Sequence, residues 1–398
     1  MILRKGLALL MAFSMCAVAI AGQAEIDARS AAMGGVGVAS SHKAASVFYN
    51  PALLAKPDLR DDDVDLLLPA LSASYSDRHD LQASFDRVQD NYQGLNQAID
   101  NGDMGQIDAY RQRLIITLDE LSGDSAYANV AVGAAIAFPT HPFPTALFYQ
   151  TYVEGMGVAD VTQSDIDALS SLDPDNPPES RTLTSSGTAV AGAVSEFGVA
   201  LSYPLSIVNM PVTIGISPKI QRLDSFNYVA NVTSFDRDDI REDRYRSNNT
   251  QFNLDAGITI MPTRELTIGL SGRDLVQHKL DSLVIDDRQF SFTSEAKFTL
   301  GVAWDWRQWM LSSDIDLNKR TPFDGMGSSQ YWRVGGAVQA TDWLSLRVGY
   351  RYDIEANHDD IYTLGSGMTF GRIFSIDVAG MFGTGDSLGA AVQTRYQF

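Results

Sequence analysis

QFNLDAGITI, residues 251–260, divides into two sets: Phe252, Leu254, Ala256, Ile258 and Ile260 on one parity, Gln251, Asn253, Asp255, Gly257 and Thr259 on the other. Period two belongs to a strand with two different faces. The split recurs in VTIGISPKI (212–220), where Val212, Ile214, Ile216 and Ile220 oppose Thr213, Gly215, Ser217 and Lys219. In WLSLRVGYRYD (343–353), Leu344, Leu346, Val348, Tyr350 and Tyr352 oppose Ser345, Arg347, Gly349 and Arg351. About fourteen such segments can be placed from residue 64 to the end, most about ten residues long, with examples at 193–203, 212–222, 250–260 and 388–398. A tilted strand crossing a bilayer needs about 9–11 residues.

The connections alternate in length. PTHPFP, PLSIVNMP, MPTRE, RQ, TD and GR are short, and longer segments near 77–127, 156–192, 223–249, 276–295 and 318–330 lie between them. Short periplasmic turns alternating with long outer loops, around an even number of antiparallel strands, is the arrangement of an outer-membrane barrel. A soluble β-sandwich would share the periodicity. Trp304, Trp306, Trp309, Trp332 and Trp343, all near strand ends, favour the membrane, where aromatic girdles mark the two interfaces. The expected fold is an all-β membrane protein: an antiparallel outer-membrane β-barrel of about 14 strands over 64–398.

Outward from the barrel, residues 1–24 read as a signal peptide, with Arg4 and Lys5, an apolar run and a Gly22-Gln23-Ala24 cleavage site. The sole cysteine, Cys16, leaves with it, so the mature chain has no thiol chemistry. Cleavage takes the formal charge of the 398-residue chain from −19 to −21, and the pI near 4.5 argues against direct nucleic-acid binding. The expected location is the outer membrane of a Gram-negative bacterium. Outer-membrane lipid, lipopolysaccharide and the barrel insertion machinery are the expected partners, and Tyr396 and Phe398 the C-terminal assembly signal.

Between the first two strands the period changes. Leu81, Phe85, Val88, Tyr92 and Leu95 form one helical stripe, Ile107, Tyr110, Leu114, Leu118 and Leu121 another, with Asn101-Gly102-Asp103 as the turn. This predicts a helical hairpin over 80–121 in the first outer loop, capping the barrel.

Residues 25–63 precede the first strand and are rich in small side chains, which permit close backbone approach. They are expected to form a lumen plug, with Gly34 and Gly35 in tight turns and Asn50-Pro51 initiating another. A phosphate nest would need a strand–helix frame and a Lys-Ser/Thr pair, which are missing. The stretch AAMGGVGVASSHKAASVFYNPALL (31–54) resembles the N-terminal signature of FadL-like outer-membrane proteins, with Asn50-Pro51-Ala52 as the Asn-Pro-Ala turn. Together with the helical insertion and chain length it is closer still to the conjugal transfer protein TraF type of outer-membrane protein. The FadL resemblance implies a fourteen-stranded barrel with a plug and passive uptake of hydrophobic compounds, with sideways exit where a wall strand is kinked. Pro218, unable to donate a ladder hydrogen bond, is the candidate kink.

If the apolar faces meet lipid, the opposite faces line the lumen and carry charges of both signs. Asp314, Asp316, Arg333, Arg347 and Arg351 are expected to form a salt-bridged network between plug and wall, since buried charges require partners. The five histidines have no metal-ligand spacing, Ser40-x-x-Lys43 lacks companion motifs, and no nucleophile is paired with a base, so neither metal, cofactor nor catalysis is expected. An outer-membrane lipid hydrolase assembled from separate strands remains the enzymatic alternative. The acidic runs at 61–65 and 173–179 match no calcium loop and read as solvated charge. Two functions stand: a non-enzymatic barrel passing or binding a hydrophobic or amphipathic small molecule, or a docking component for a conjugation or secretion apparatus, working through the hairpin and acidic loops.

Overall fold

The computed structural model describes residues 25–57, 63–77, 80–173, 182–208, 210–232, 245–324, 327–371, 373–384 and 387–398. The leader, Asp61 and Asp62 of the first acidic run, most of the second run and His79 lie outside the described residues. In chain order the elements are α1 (Ala28–Ala31), α2 (Lys43–Ser46), β1 (Asp65–Asp77), α3 (Leu81–Asn101), α4 (Met104–Leu121), β2 (Ser125–Phe138), β3 (Thr145–Asp160) and α5 (Gln163–Ser170). Then follow β4 (Ser186–Ile207), β5 (Met210–Asn231), β6 (Arg246–Ile260), β7 (Leu266–Arg273), β8 (His278–Asp281), β9 (Ser291–Ser294), β10 (Lys297–Trp306) and β11 (Trp309–Asp316). The chain ends with β12 (Tyr331–Thr341), β13 (Leu344–Asp353), β14 (Ile361–Phe370), β15 (Phe374–Gly383) and β16 (Leu388–Gln397).

Each barrel strand pairs antiparallel with its neighbours in sequence, and β1 pairs with β16, so β1–β7 and β10–β16 form a closed fourteen-stranded barrel. Closure leaves no unpaired edge. The short β8–β9 ribbon stands apart from this sheet, within the long connection from β7 to β10. Outward parities carry the exposed apolar residues, such as Leu346 and Val348 on β13 and Ile214, Ile216 and Ile220 on β5. Tyr149, Phe197, Phe252, Phe298, Tyr362 and Phe382 ring this band near the long loops; Tyr203, Trp304, Trp306, Trp309, Trp343 and Phe370 ring it near the short turns. Two aromatic belts flanking an apolar band define a membrane-spanning barrel.

The wall is not of even height. β4 and β5 are 22 residues each, about twice the expected span, because 186–192 and 223–231 are strand rather than loop. Above the outer aromatic belt their outward residues are covered by protein. Val153, Ala191, Phe226, Tyr228 and Tyr245 form one buried cluster there.

The helical hairpin supplies another cover. Gly102, at φ 67°, ends α3, and Asp103 caps α4 by accepting from the Gln106 amide at 3.2 Å. Its apolar stripes meet Ala126, Ala159, Leu183 and Val232, on the parity that lower down faces lipid. The expected cap over the barrel is therefore corrected. The hairpin lies against the outer side of the raised wall, because that wall presents apolar residues above the membrane and needs a partner to bury them.

Inside, the barrel is packed. Ile26, Val47, Phe48 and Leu54 from the plug join Phe148, Tyr152, Val194 and Leu223 from the wall, and Phe292 and Phe323 from the long connections, in one buried core. The lumen thus has an apolar core where the plug meets β1–β5, with buried charges both within that side and across from it.

Candidate functional site between plug and wall

Residues 25–57 seat in the lumen by very close backbone contact. Gly34 and Gly35 have φ of +75° and +89°, a region open to glycine at little cost. A side chain at Gly34 would strike the Tyr350 carbonyl 2.7 Å away, and one at Gly349 would fall on the backbone of Met33. Asn50 acts as a three-way tie: its Nδ2 donates to the Val38 carbonyl at 3.0 Å and the Ile258 carbonyl at 3.4 Å, while its Oδ1 accepts from the Ala52 amide at 3.1 Å. Pro51 opens the 3-10 turn Pro51–Ala55, where its fixed φ and missing N–H are no penalty.

The predicted charge network resolves into separate ties. Of Asp314, Asp316, Arg333, Arg347 and Arg351, only Asp316 and Arg333 bond each other, in a fork of 2.8 and 3.2 Å. Asp314 accepts instead from the plug amides of Gly37 and Val38 at 2.7 and 3.0 Å. Arg347 donates to Asp377 at 2.6 Å, and Gln393 links that carboxylate to the Ala28 amide. Arg351 donates to Glu25 at 2.6 Å. Another fork joins Arg395 to Asp65, which also accepts from the Ala44 amide.

A further cluster lies on the β4–β7 side, where the parity of the strands had placed Lys219 and Asp255 in the lumen but not their partners Glu196 and Asp274. Lys219 Nζ sits 2.7 Å from Asp274, 2.8 Å from Asp255 and 3.0 Å from Glu196, all buried. Gln221 bridges Glu196 and Asp274. Further out, Arg320 pairs with buried Glu154. The inward parity of Glu154 and Glu196 was the available signal.

Beside the plug is a cavity of about 520 Å³ of empty space, part of it open to solvent. Ile26, Val38 and Phe48 make its apolar wall; Arg273, Lys297 and Arg333 bring positive charge, and Glu25 and Asp314 negative. Three of its groups have buried atoms without a hydrogen-bond partner among the described residues: Arg273 Nε and Nη2, the Tyr49 hydroxyl, and Asp314 Oδ1. Burial, reinforced by the Asp27 charge, holds the Tyr49 hydroxyl well above its ordinary pKa, so it stays a neutral donor. Buried donors without partners are rare and call for an explanation.

At Pro218, the candidate kink, the ladder to β4 is interrupted without a change of register. β5 runs through it in constant register, with Gly198 opposite Lys219 and Leu201 opposite Ile216 on one side and Leu254 opposite Pro218 on the other. Proline removes pairing with β4 locally, while intact pairs above and below keep the strands aligned. The irregularity of the wall is instead in β1, where Leu68 and Pro69 drop out of register with both β16 and β2. Such a bulge leaves residues unpaired and bends the strand. Leu68 is half exposed there.

At the C-terminus Tyr396 faces outward beside Phe374, and Phe398 exchanges backbone hydrogen bonds with Val64 at 2.8 and 3.1 Å. Among the described residues no group of three or more His, Cys, Asp or Glu side chains is placed to hold a metal ion.

The family model of the F plasmid transfer operon TraF protein matches residues 47–316. Among solved structures, the chain is similar to the toluene transporter TbuX of Ralstonia pickettii, with a TM-score of 0.55 and 12% identity over 93% of this chain and 97% of that one. A TodX deltaS2S3 mutant, a monoaromatic hydrocarbon channel, gives 0.54 and 13% over 93% and 98%. A FadL homologue from Pseudomonas aeruginosa gives 0.52 and 14% over 94% and 98%. No curated protein sequence matches. The plugged fourteen-stranded barrel of these structures is the fold found here, that of an outer-membrane barrel.

Proposed function

The chain belongs to the family of the F plasmid transfer operon TraF protein, and from that footing we propose that it is a non-enzymatic outer-membrane barrel that binds and passes a small amphipathic molecule through the plug–wall cavity. The observation that carries this reading is the pairing, in one cavity, of an apolar wall with the unpartnered donors of Arg273 and Tyr49. A molecule with a hydrogen-bond acceptor at one end and an apolar body would satisfy the donors and cover Ile26, Val38 and Phe48. The bulge at Leu68–Pro69 is the place where such a cargo would leave sideways, since the ladder is already broken there. The similar barrels whose names describe them as a toluene transporter and a monoaromatic hydrocarbon channel support an apolar cargo. In this reading residues 1–24 are a cleaved leader, the host is Gram-negative, and lipid, lipopolysaccharide and the insertion machinery are the protein's surroundings.

Calorimetric titration of decanoate and of toluene into the purified barrel, in a zwitterionic detergent, tests the proposal. Binding of decanoate is expected, weakened in Arg273→Ala by roughly ten- to a hundredfold, the equivalent of a charge-assisted hydrogen bond of about 1.5–3 kcal/mol. Absence of binding by either probe would overturn the reading.

A further inference from the structure

A second cavity, of about 780 Å³ with its open part included, lies at the outer ends of β1, β2 and β12–β16, away from the β4–β7 wall. Its lining is unlike that of the plug cavity. Tyr127, Tyr331 and His358 bring three rings to it. His358 stands edge-on to Tyr127, with centroids 5.3 Å apart, and 6.3 Å from Tyr331. Asp353 fixes the imidazole through Nδ1 at 3.1 Å.

Between the rings are hydrogen-bonding groups of both kinds. Asn129 donates to Ser74 at 2.8 Å, but its Oδ1 is buried and accepts from no group among the described residues. Arg351 spends Nη1 on Glu25, lies 5.1 Å over the Tyr331 ring, and keeps a buried Nε without a partner among the described residues. Asp359 accepts from Ser76 at 2.9 Å and from Ser387 at 2.5 Å. The charges in the pocket are therefore one of each sign, both already engaged, which disfavours a simple ion. The polar groups disfavour a hydrocarbon.

We infer that this outer cavity is a binding site for a saccharide ring. A pyranose has a C–H face that lies flat on an aromatic ring and a rim of hydroxyls, each both donor and acceptor. Tyr127 supplies the flat surface, and Asn129 Oδ1 and Arg351 Nε an acceptor and a donor for adjacent hydroxyls, which would satisfy both buried orphans. The site is distinct from the plug cavity, and its occupancy does not depend on the cargo proposed above.

Saturation-transfer NMR on the full-length barrel in a detergent without sugar headgroups tests this. The probes are N-acetylglucosamine, methyl glucoside and the core oligosaccharide released from lipopolysaccharide. Transfer to ring C–H protons is expected, and is expected to disappear in Tyr127→Ala and in Asn129→Ala, each shown to be folded by its gel shift on boiling. Arg273→Ala should keep it. Transfer to the core oligosaccharide alone would identify lipopolysaccharide as the source; transfer to the simple sugars as well would identify a soluble saccharide. No transfer to any probe, or transfer surviving both substitutions, would overturn the inference.

Discussion

At Gly349 the plug backbone passes so near the wall that no side chain fits between them, since a Cβ there would overlap Met33 and the Gly34 amide. Gly349→Val should unseat the plug, at a cost of about 1–3 kcal/mol or more from overpacking. Faster cleavage of residues 25–57 by added protease, with the barrel intact, is the expected result. Asn50→Ala removes two donations and one acceptance from buried backbone groups, and the exposed penalty is about 1–3 kcal/mol. The temperature at which the folded gel band is lost should fall in this variant. Asn50-Pro51 was legible as a turn because its chemistry is local. Gly349 was not, because its reason is a segment more than 300 residues away in sequence. Nor was Asp314, whose partners are plug amides rather than an ion.

Strands and helices carry their own record. β4 was read at half its length because above the membrane both of its faces are covered, and a doubly buried strand of alanine, serine and glycine has no alternation to detect. The hairpin's stripes were plain, but which surface they meet depended on that hidden extension. Deleting residues 80–121 should leave barrel insertion and decanoate binding in place, since no hairpin residue lines the plug cavity. Loss of a conjugation-apparatus partner in that variant, measured by co-purification, would point to the docking role instead.

The loop beside the hairpin has a pH-sensitive clasp. Asp165 on α5 accepts from the Thr184 and Ser185 amides and from both hydroxyls. Burial works to raise its pKa, and these hydrogen bonds outweigh it and hold the carboxyl below the ordinary 3.8. A depressed carboxyl stabilises the fold at pH above its unfolded value and stops doing so as pH falls through the folded one. Amide exchange at Thr184 and Ser185 should therefore quicken only below about pH 4. In Asp165→Asn it should be fast throughout.

For the whole molecule, closure depends on the last residue. Phe398 bonds Val64 and continues the seam between β1 and β16 beyond their last paired residues. Removing Phe398 should abolish the heat-modifiable band in outer-membrane fractions; its persistence would show that closure and targeting need only Tyr396. The sequence by itself determined the strand class, the number of strands, the alternation of loops and the presence of plug and hairpin, because period two, turn chemistry and helical stripes are local properties. Tertiary structure alone decided where the wall shifts register, which lumen charges meet, and where cavities remain. Pro218 and Pro69 look alike in sequence, yet only the register of the neighbouring strands shows that the wall holds at the first and bulges at the second. Likewise Arg273 is one lumen arginine among several until packing leaves its donors without partners. Such features arise where distant segments meet, and no local pattern encodes that meeting.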